Sequence, residues 1–432
     1  MSELPNVFFK LHEQGFESTS VTDNLIDNSS ALRTEFFKDV KPRSLPKMKR
    51  FLNMHKSAVV NTDIPPQYFS GSQLLNLYNV PTIKQTNKNI RQTRIAVIIA
   101  FTYPGLLQDL TTYWQNDINF GPSSKPPKVN VYTMQGATFN DGWAQEECLD
   151  VQMVCTINPN ANIYVVEAKS DLSIDLMKAI DYAVNTLNVD VVSMSWGDLE
   201  NNAYASYSKL FNNIYVTYCA ASGDYNYASW PSVLQNCISV GGTTLLWTPN
   251  GKQTRTEYSW NKSGCGYSSS IPQPNYQKNI SGITHTHRAI PDVSLVANEQ
   301  TCVYTVYKGK LYGIGGTSVA TPIFAAMVSL ANQMRFNLSK NPLTSVYSLT
   351  NVASNNYKPL SNNIQHYLYT TLYNNKAEYQ NVFYDVIIGS NEGSIAGTNR
   401  GLTTYNSTSG YDITTGLGSP KCTNFCTSLA KL

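Results

Sequence analysis

Short, mostly apolar runs recur through the middle of the chain: 95–101 (IAVIIAF), 163–166 (IYVV), 189–195 (VDVVSMS), 214–220 (IYVTYCA) and 238–240 (ISV). Runs this short, without strict alternation, are what strands buried on both faces require. Stretches with helical spacing lie between several of them, for example 174–187. Strand, helix and strand in alternation predict an α/β fold: a central, mostly parallel sheet flanked by helices in three layers. Such sheets gather their sites at the carboxyl ends of the strands. The pattern does not extend to the first 60 or so residues, which are polar and mixed in charge. We therefore expect a separate N-terminal segment, 1–62, ahead of a folded part, 63–432. Residues 340–410, rich in Asn, Ser, Thr and Tyr, are predicted to form long loops.

Composition narrows the picture. Of 432 residues, 42% are hydrophobic and only 14% charged, which is enough apolar material for a large core and excludes general disorder. No apolar run approaches the roughly 18–20 residues of a membrane-spanning helix. The net charge of +3 is uneven: residues 38–56 hold seven Lys or Arg against one Asp, and the rest of the chain is slightly acidic. That distribution argues against a nucleic-acid protein with a basic face. The basic stretch reads either as the end of a short propeptide or as a solvated tail. The start, MSELPNVFFKLHEQG, lacks the basic and then apolar order of a secretory signal. Eight cysteines occur without a CxxC pair, so zinc ribbons and thioredoxin-like sites are not expected; buried thiols with one or two disulfides are.

Three constellations could carry chemistry. The first is Gly315-Gly-Thr-Ser-Val-Ala-Thr-Pro322, a glycine turn leading into a strongly helical segment. Ser318 would sit at the helix N-terminus, where backbone N–H groups and the positive end of the helix dipole favour a developing oxyanion. Pro322 is expected in the first turn. A plain N-cap serine is the competing reading. The second is Asp141-Gly-Trp-Ala-Gln-Glu-Glu-Cys-Leu-Asp150, in which Glu146 and Asp150 stand one helical turn apart on a face continued by Met153, Val154 and Ile157. Two close, buried carboxyls couple their titrations and raise at least one pKa, as a carboxylate general base requires. Glu147 lies about 100° round the helix and is expected to be dispensable. The third is Asp224, after a Ser-Gly turn at the end of a strand; as a protonated acid it could donate to an oxyanion, and as a structural residue it would make an Asx turn. None of the five histidines stands where a serine nucleophile would find its base.

These pieces, in this order, resemble the sedolisin family of serine-carboxyl peptidases, which have a subtilisin-like fold. Further agreement comes from residues 65–81, Val192-Ser-Met-Ser-Trp-Gly197, Ser239-Val-Gly-Gly-Thr243, the segment 258–268 and Arg288-Ala-Ile-Pro-Asp-Val-Ser294. The resemblance covers roughly residues 65–432. It implies that Ser318 is the nucleophile, Glu146 its general base, Asp150 the partner that orients the base, and Asp224 the acid of the oxyanion hole. It also implies one calcium ion in C-terminal loops, held by Asp385 and Asp412 with carbonyls of Val386, Thr408 and Gly410.

The resemblance further implies a polypeptide substrate, a monomer and an acid-active hydrolase, because a carboxylate base still works where a histidine of pKa about 6.5 is protonated. Endopeptidase and tripeptidyl-peptidase activity both remain open. Acid-loving members carry an extra Glu at the end of the first core strand. Residues 97–101 have no acid, so a smaller acidic network and a milder pH optimum are expected. Two alternatives stand beside this reading. One is a non-catalytic protein that keeps the fold, against which the intact Ser, Glu and Asp set speaks. The other is a histidine-dependent hydrolase, for which the Gly-x-Ser-x-Gly elbow is absent.

Overall fold

The computed structural model describes residues 49–50, 53–54, 67–83, 89–250, 252–346, 359–392 and 404–432. Its centre is a sheet of eight strands: β1 (Arg94–Ala100), β2 (Val129–Thr133), β3 (Asn162–Ala168), β4 (Val191–Met194), β5 (Thr217–Ala221), β6 (Cys237–Asn250), β7 (Lys252–Ser259) and β8 (Val293–Val296). The order is β7-β6-β5-β4-β1-β3-β2, with β8 pairing β6. Seven strands are parallel and β7 is antiparallel to β6. β1 is the centre of the sheet, with every residue from Ile95 to Ala100 buried, as its unbroken apolar run predicts. Its register, Ile98 opposite Val166 on one side and Ala96 opposite Val192 on the other, aligns the carboxyl ends of β3, β1 and β4 along one edge.

Two helices reach this carboxyl edge with the candidate residues. The glutamate helix, Asp141–Ile157, starts at Asn140, whose side chain accepts from the N–H groups of Gly142 and Trp143 at 3.1 Å. The serine helix, Thr317–Asn337, packs directly against it. Its far end is clamped by the last helix, Cys422–Lys431, through Phe324 against Phe425 and through Arg335, which donates to the carbonyls of Leu429 and Leu432 at 2.9 and 3.0 Å. The hairpin Thr301–Tyr307 and Lys310–Gly315 leads straight into the serine helix. Buried Asp109 fixes its tip, accepting from the N–H groups of Lys308 and Gly309 at 2.7 and 2.8 Å.

The sequence-based expectations hold for the α/β architecture and differ in detail. The run at 214–220 starts too early: Ile214 and Tyr215 are exposed in a turn, and β5 begins at Thr217. β6 runs far beyond Val240, because Gly241 and Gly242 continue the strand between neighbours that leave no room for side chains. Within 359–392, where loops were expected, the helices Ile364–His366, Tyr367–Leu372 and Lys376–Val382 form. All eight cysteines are buried free thiols, and no disulfide is present; even Cys422 and Cys426, one turn apart, stand with their sulfurs at 3.8 Å. The boundary expected at residue 62 lies outside the described residues.

A fully buried ion pair ties the sheet to the C-terminal region. Arg288 donates to Asp292 at 2.5 Å, and Asp292 also accepts from the Ser239 N–H at 2.8 Å and the Tyr369 hydroxyl at 2.6 Å. Removing only the cation strands a buried carboxylate. Arg288→Leu is expected to lower the unfolding free energy by about 3–5 kcal/mol, as read from urea denaturation.

Candidate active site

The serine helix begins where the sequence predicts. Gly316 precedes it with φ +123°, a conformation that side chains disfavour. Gly315 meets the backbone of Ala297 and Glu299 so closely that a Cβ would sit 2.6 Å from them. Pro322 is not in the first turn as expected; it is the sixth helical residue. Its missing N–H would have bonded the Ser318 carbonyl. That carbonyl is thereby left to face Ser195, whose Oγ lies 3.5 Å away.

Ser195 joins the two helices. It follows β4 at the carboxyl edge of the sheet and is fully buried. Its hydroxyl donates to Asp150 Oδ1 at 2.7 Å, and its backbone carbonyl accepts from Ser318 Oγ at 3.2 Å. Glu146, Asp150 and Ser318 are all 0% exposed. Burial holds the Asp150 carboxyl well above its ordinary value, and the Ser195 hydrogen bond only partly opposes that. Asp150, one turn from Glu146 on the same face, is therefore a proton holder beside it.

Asp224 follows β5 and lies against the start of the serine helix. Its Oδ1 accepts from the Thr317 N–H at 2.8 Å and the Thr317 hydroxyl at 2.9 Å. Burial pushes this carboxyl up to about 7, with the Thr317 bonds pulling the other way. Of the histidines, His12 and His55 lie outside the described residues. His285 stacks on Tyr267, and His366 sits beside Thr370 within its own helix.

Glu147, set apart as a control by helix spacing, is not a solvent-facing residue. The glutamate helix is buried on nearly every side, and Glu147 is 1% exposed. Burial first, then the charges of nearby Glu167 on β3 and of Asp150, hold its carboxyl well above the ordinary range. Ser195 and Glu167 both escape a reading by spacing. The only signal in the sequence is a polar residue at the carboxyl end of a buried strand.

The calcium ligands expected from the resemblance fall on two adjoining loops. Asp385 accepts from the Gly410 N–H at 2.9 Å, the Ser409 hydroxyl at 3.2 Å and the Tyr379 hydroxyl at 3.2 Å. Asp412 accepts from the Thr408 N–H at 3.1 Å and the Thr414 hydroxyl at 2.6 Å. One turn, 408–412, therefore touches both carboxylates, and Val386 is buried beside them. The donor set, two carboxylates and neighbouring carbonyls, is all oxygen and fits a hard cation such as calcium.

A sheet with seven parallel strands, flanked by helices one of which begins at a buried serine, is an architecture that the comparisons bear out. The subtilase family model matches residues 135–384, and the chain belongs to that family. Within it, the relatives matched are sedolisins, the serine-carboxyl peptidases. Sedolisin of Pseudomonas sp. (strain 101) is 27% identical over 299 residues, 59% of this chain and 49% of the relative. Kumamolisin of Bacillus sp. (strain MN-32) is 28% identical over 348 residues, 72% of this chain and 56% of the relative. The chain thus spans about half the length of these curated relatives. The solved structure of Pseudomonas sedolisin (serine-carboxyl proteinase), complexed with two molecules of pseudo-iodotyrostatin, shares the fold. Its TM-score is 0.65 at 22% identity, with 84% of this chain and 98% of that one covered.

Ser195→Ala removes the donor to Asp150 while keeping the carbonyl that faces Ser318. The expected cost is about 1–3 kcal/mol of stability, measured by denaturant unfolding.

Proposed function

We propose that this chain is an acid-active serine peptidase that cleaves polypeptides through an acyl-enzyme on Ser318. The observation that carries this reading is the buried connection from Ser318 through Ser195 to Asp150, one turn from Glu146, with no histidine beside it among the described residues. Glu146 takes the Ser318 proton as the hydroxyl attacks the scissile carbonyl, and returns it to the leaving amine. Asp150, held by Ser195, orients Glu146. The protonated carboxyl of Asp224 and the Ser318 N–H, one of the orphan donors at the helix start, receive the oxyanion. The Thr317 N–H is already committed to Asp224. Water then releases the acyl group by the same proton path.

The pH logic has a definite sign. Asp150, Glu147 and Asp224 all have folded-state pKa values raised by burial. A raised acid favours the folded state most below the ordinary carboxyl range, and that contribution is lost as pH rises through the raised value. Asp224 keeps its donor proton in acid and loses it as pH passes about 7. Stability and the oxyanion donor therefore fail in the same direction, toward neutral and alkaline pH.

Residues 49–50 and 53–54 are read as part of a short propeptide that pairs beside the substrate groove. Lys49 and Arg50 pair antiparallel with Gly197 and Trp196, next to Ser195. Asn53 and Met54 pair antiparallel with Gly315 and Ile314, just before the Ser318 turn. The two pairings flank the nucleophile, one on each side. Calcium, when bound between Asp385 and Asp412 with carbonyls of Val386, Thr408 and Gly410, would supply charge neutralisation that fixes these loops.

An unfolded protein is expected to be cut in acid by wild type. Ser318→Ala and Glu146→Gln should abolish cleavage, and Asp224→Ala should lower kcat by about 10²–10³-fold. Cleavage surviving in Ser318→Ala would refute the mechanism. After acid exposure, intact mass should show a new N-terminus between Phe51 and Asn53 in wild type and an intact chain in Ser318→Ala. A calcium chelator should lower the melting temperature of wild type but not of Asp412→Ala, in which the ligand is already gone.

A further inference from the structure

The strand Trp196–Leu199 follows Ser195 directly, at the carboxyl edge of the central sheet. It is the middle strand of a small three-stranded sheet. On one side Ser229 and Trp230 pair with Leu199 and Asp198, and Trp230 stacks on Tyr204 with ring centroids 4.5 Å apart. On the other side Lys49 and Arg50 pair antiparallel with Gly197 and Trp196. The strand is therefore an edge that takes up an extended chain by backbone pairing. A chain laid on it and on Gly315 and Ile314, as residues 49–50 and 53–54 are, has its N-terminal part on the Trp196–Leu199 side.

Both ends of this strand are fixed. At its start Trp196 is fully buried, and its Nε1 donates to the Ile98 carbonyl of β1 at 2.8 Å. Just past its end stands Glu200. Its Oε1 accepts from the Ser268 and Ser270 hydroxyls at 2.5 and 2.9 Å, and its Oε2 accepts from the Ser269 N–H at 2.5 Å and the Ser269 hydroxyl at 3.0 Å. The three serines belong to the strand Gly266–Pro272, which pairs antiparallel with His287–Ile290. Its register breaks between Tyr267 and Pro272. There Ser268 Oγ accepts from the N–H groups of Ser270 and Ile271 at 3.2 and 2.7 Å, which folds the irregular stretch round Glu200. An irregularity of this kind re-aims side chains at the cost of ladder bonds. The partner strand carries Arg288, locked in the core by Asp292. Glu200 thus ties the free end of a strand edge to a fixed part of the molecule.

We propose that Glu200, gripped by Ser268, Ser269 and Ser270, is a positioning residue that holds the strand Trp196–Leu199 as the template for the substrate residues preceding the cleaved bond. This inference rests on the peptidase reading, because only a chain crossing Ser318 uses that edge. The fixing of the strand itself stands without activity.

The test uses peptides with one fixed leaving side and an acyl side lengthened from one residue to about five. In wild type, added residues that reach the strand should raise kcat/KM. In Glu200→Ala that gain should shrink about tenfold, as expected for one or two weakened backbone hydrogen bonds, with KM rising more than kcat falls. Glu200→Gln keeps one oxygen for the serines and should restore part of the gain. A contact that only stabilises the fold would lower kcat/KM equally at every length, and that result overturns the proposal. Ser270→Ala, at an exposed position, gives the same comparison if Glu200→Ala folds poorly. In a Ser318→Ala background, which needs no turnover, amide hydrogen exchange at Trp196–Leu199 should quicken about tenfold when Glu200→Ala is added. Unchanged exchange there overturns the fixing of the strand. If wild type cuts no peptide while exchange quickens, the peptidase reading fails and the fixing of the strand by Glu200 stands.

Discussion

The glutamate helix is buried on nearly all sides and still carries Glu146, Glu147 and Asp150. Burying an ionised carboxyl is costly unless it is paired, and a helix interior offers few donors because its N–H groups are already used. The solutions left are protons and hydroxyls. Asp150 takes a serine hydroxyl, and Asp224 takes backbone and hydroxyl donors from Thr317. These donors favour the charged form, while burial pushes the same carboxyls up. Raised carboxyl pKa values therefore follow from where the residues sit, before any question of catalysis arises.

The same constraint explains the irregular start of the serine helix. A regular helix would bond the Ser318 carbonyl internally, and a side chain at Gly315 would collide with the backbone at Ala297 and Glu299. The sequence places Pro322 four residues after Ser318, so the carbonyl is released toward Ser195. Ser195 then serves both helices from the end of β4: its hydroxyl points to the acid and its carbonyl faces the nucleophile. The serine and the carboxylates come from separate elements, and a single small residue at the sheet edge fixes their relation.

Much of this was legible in the chain. Apolar runs located β1, β3 and β4, the Gly-Gly-Thr-Ser string located the serine helix, and a four-residue spacing put Glu146 and Asp150 on one face. Periodicity failed where it assumes that a helix has a wet side. With almost every face of Asp141–Ile157 buried, spacing could not tell Glu147 from a surface residue. Nor could it find Glu167, twenty residues on, because their proximity depends on how the helix caps the strand ends. Helices within 359–392 were missed because Asn- and Tyr-rich segments look like loops until Asn363 and Asn375 are seen as their N-caps.

Replacing an imidazole base by a carboxylate changes more than the pKa of one group. A histidine can stand alone between a hydroxyl and an aspartate, because it is neutral when idle. A buried glutamate base is charged when ready to act, so its neighbours must be neutral or donors. Burial accordingly holds the carboxyls of Asp150 and Glu147 well above their ordinary range. Stability and catalysis then draw on the same protons. On the proposed mechanism, a rise in pH past about 7 would remove the donor proton of Asp224, in the same direction as the stability lost by the raised carboxyls.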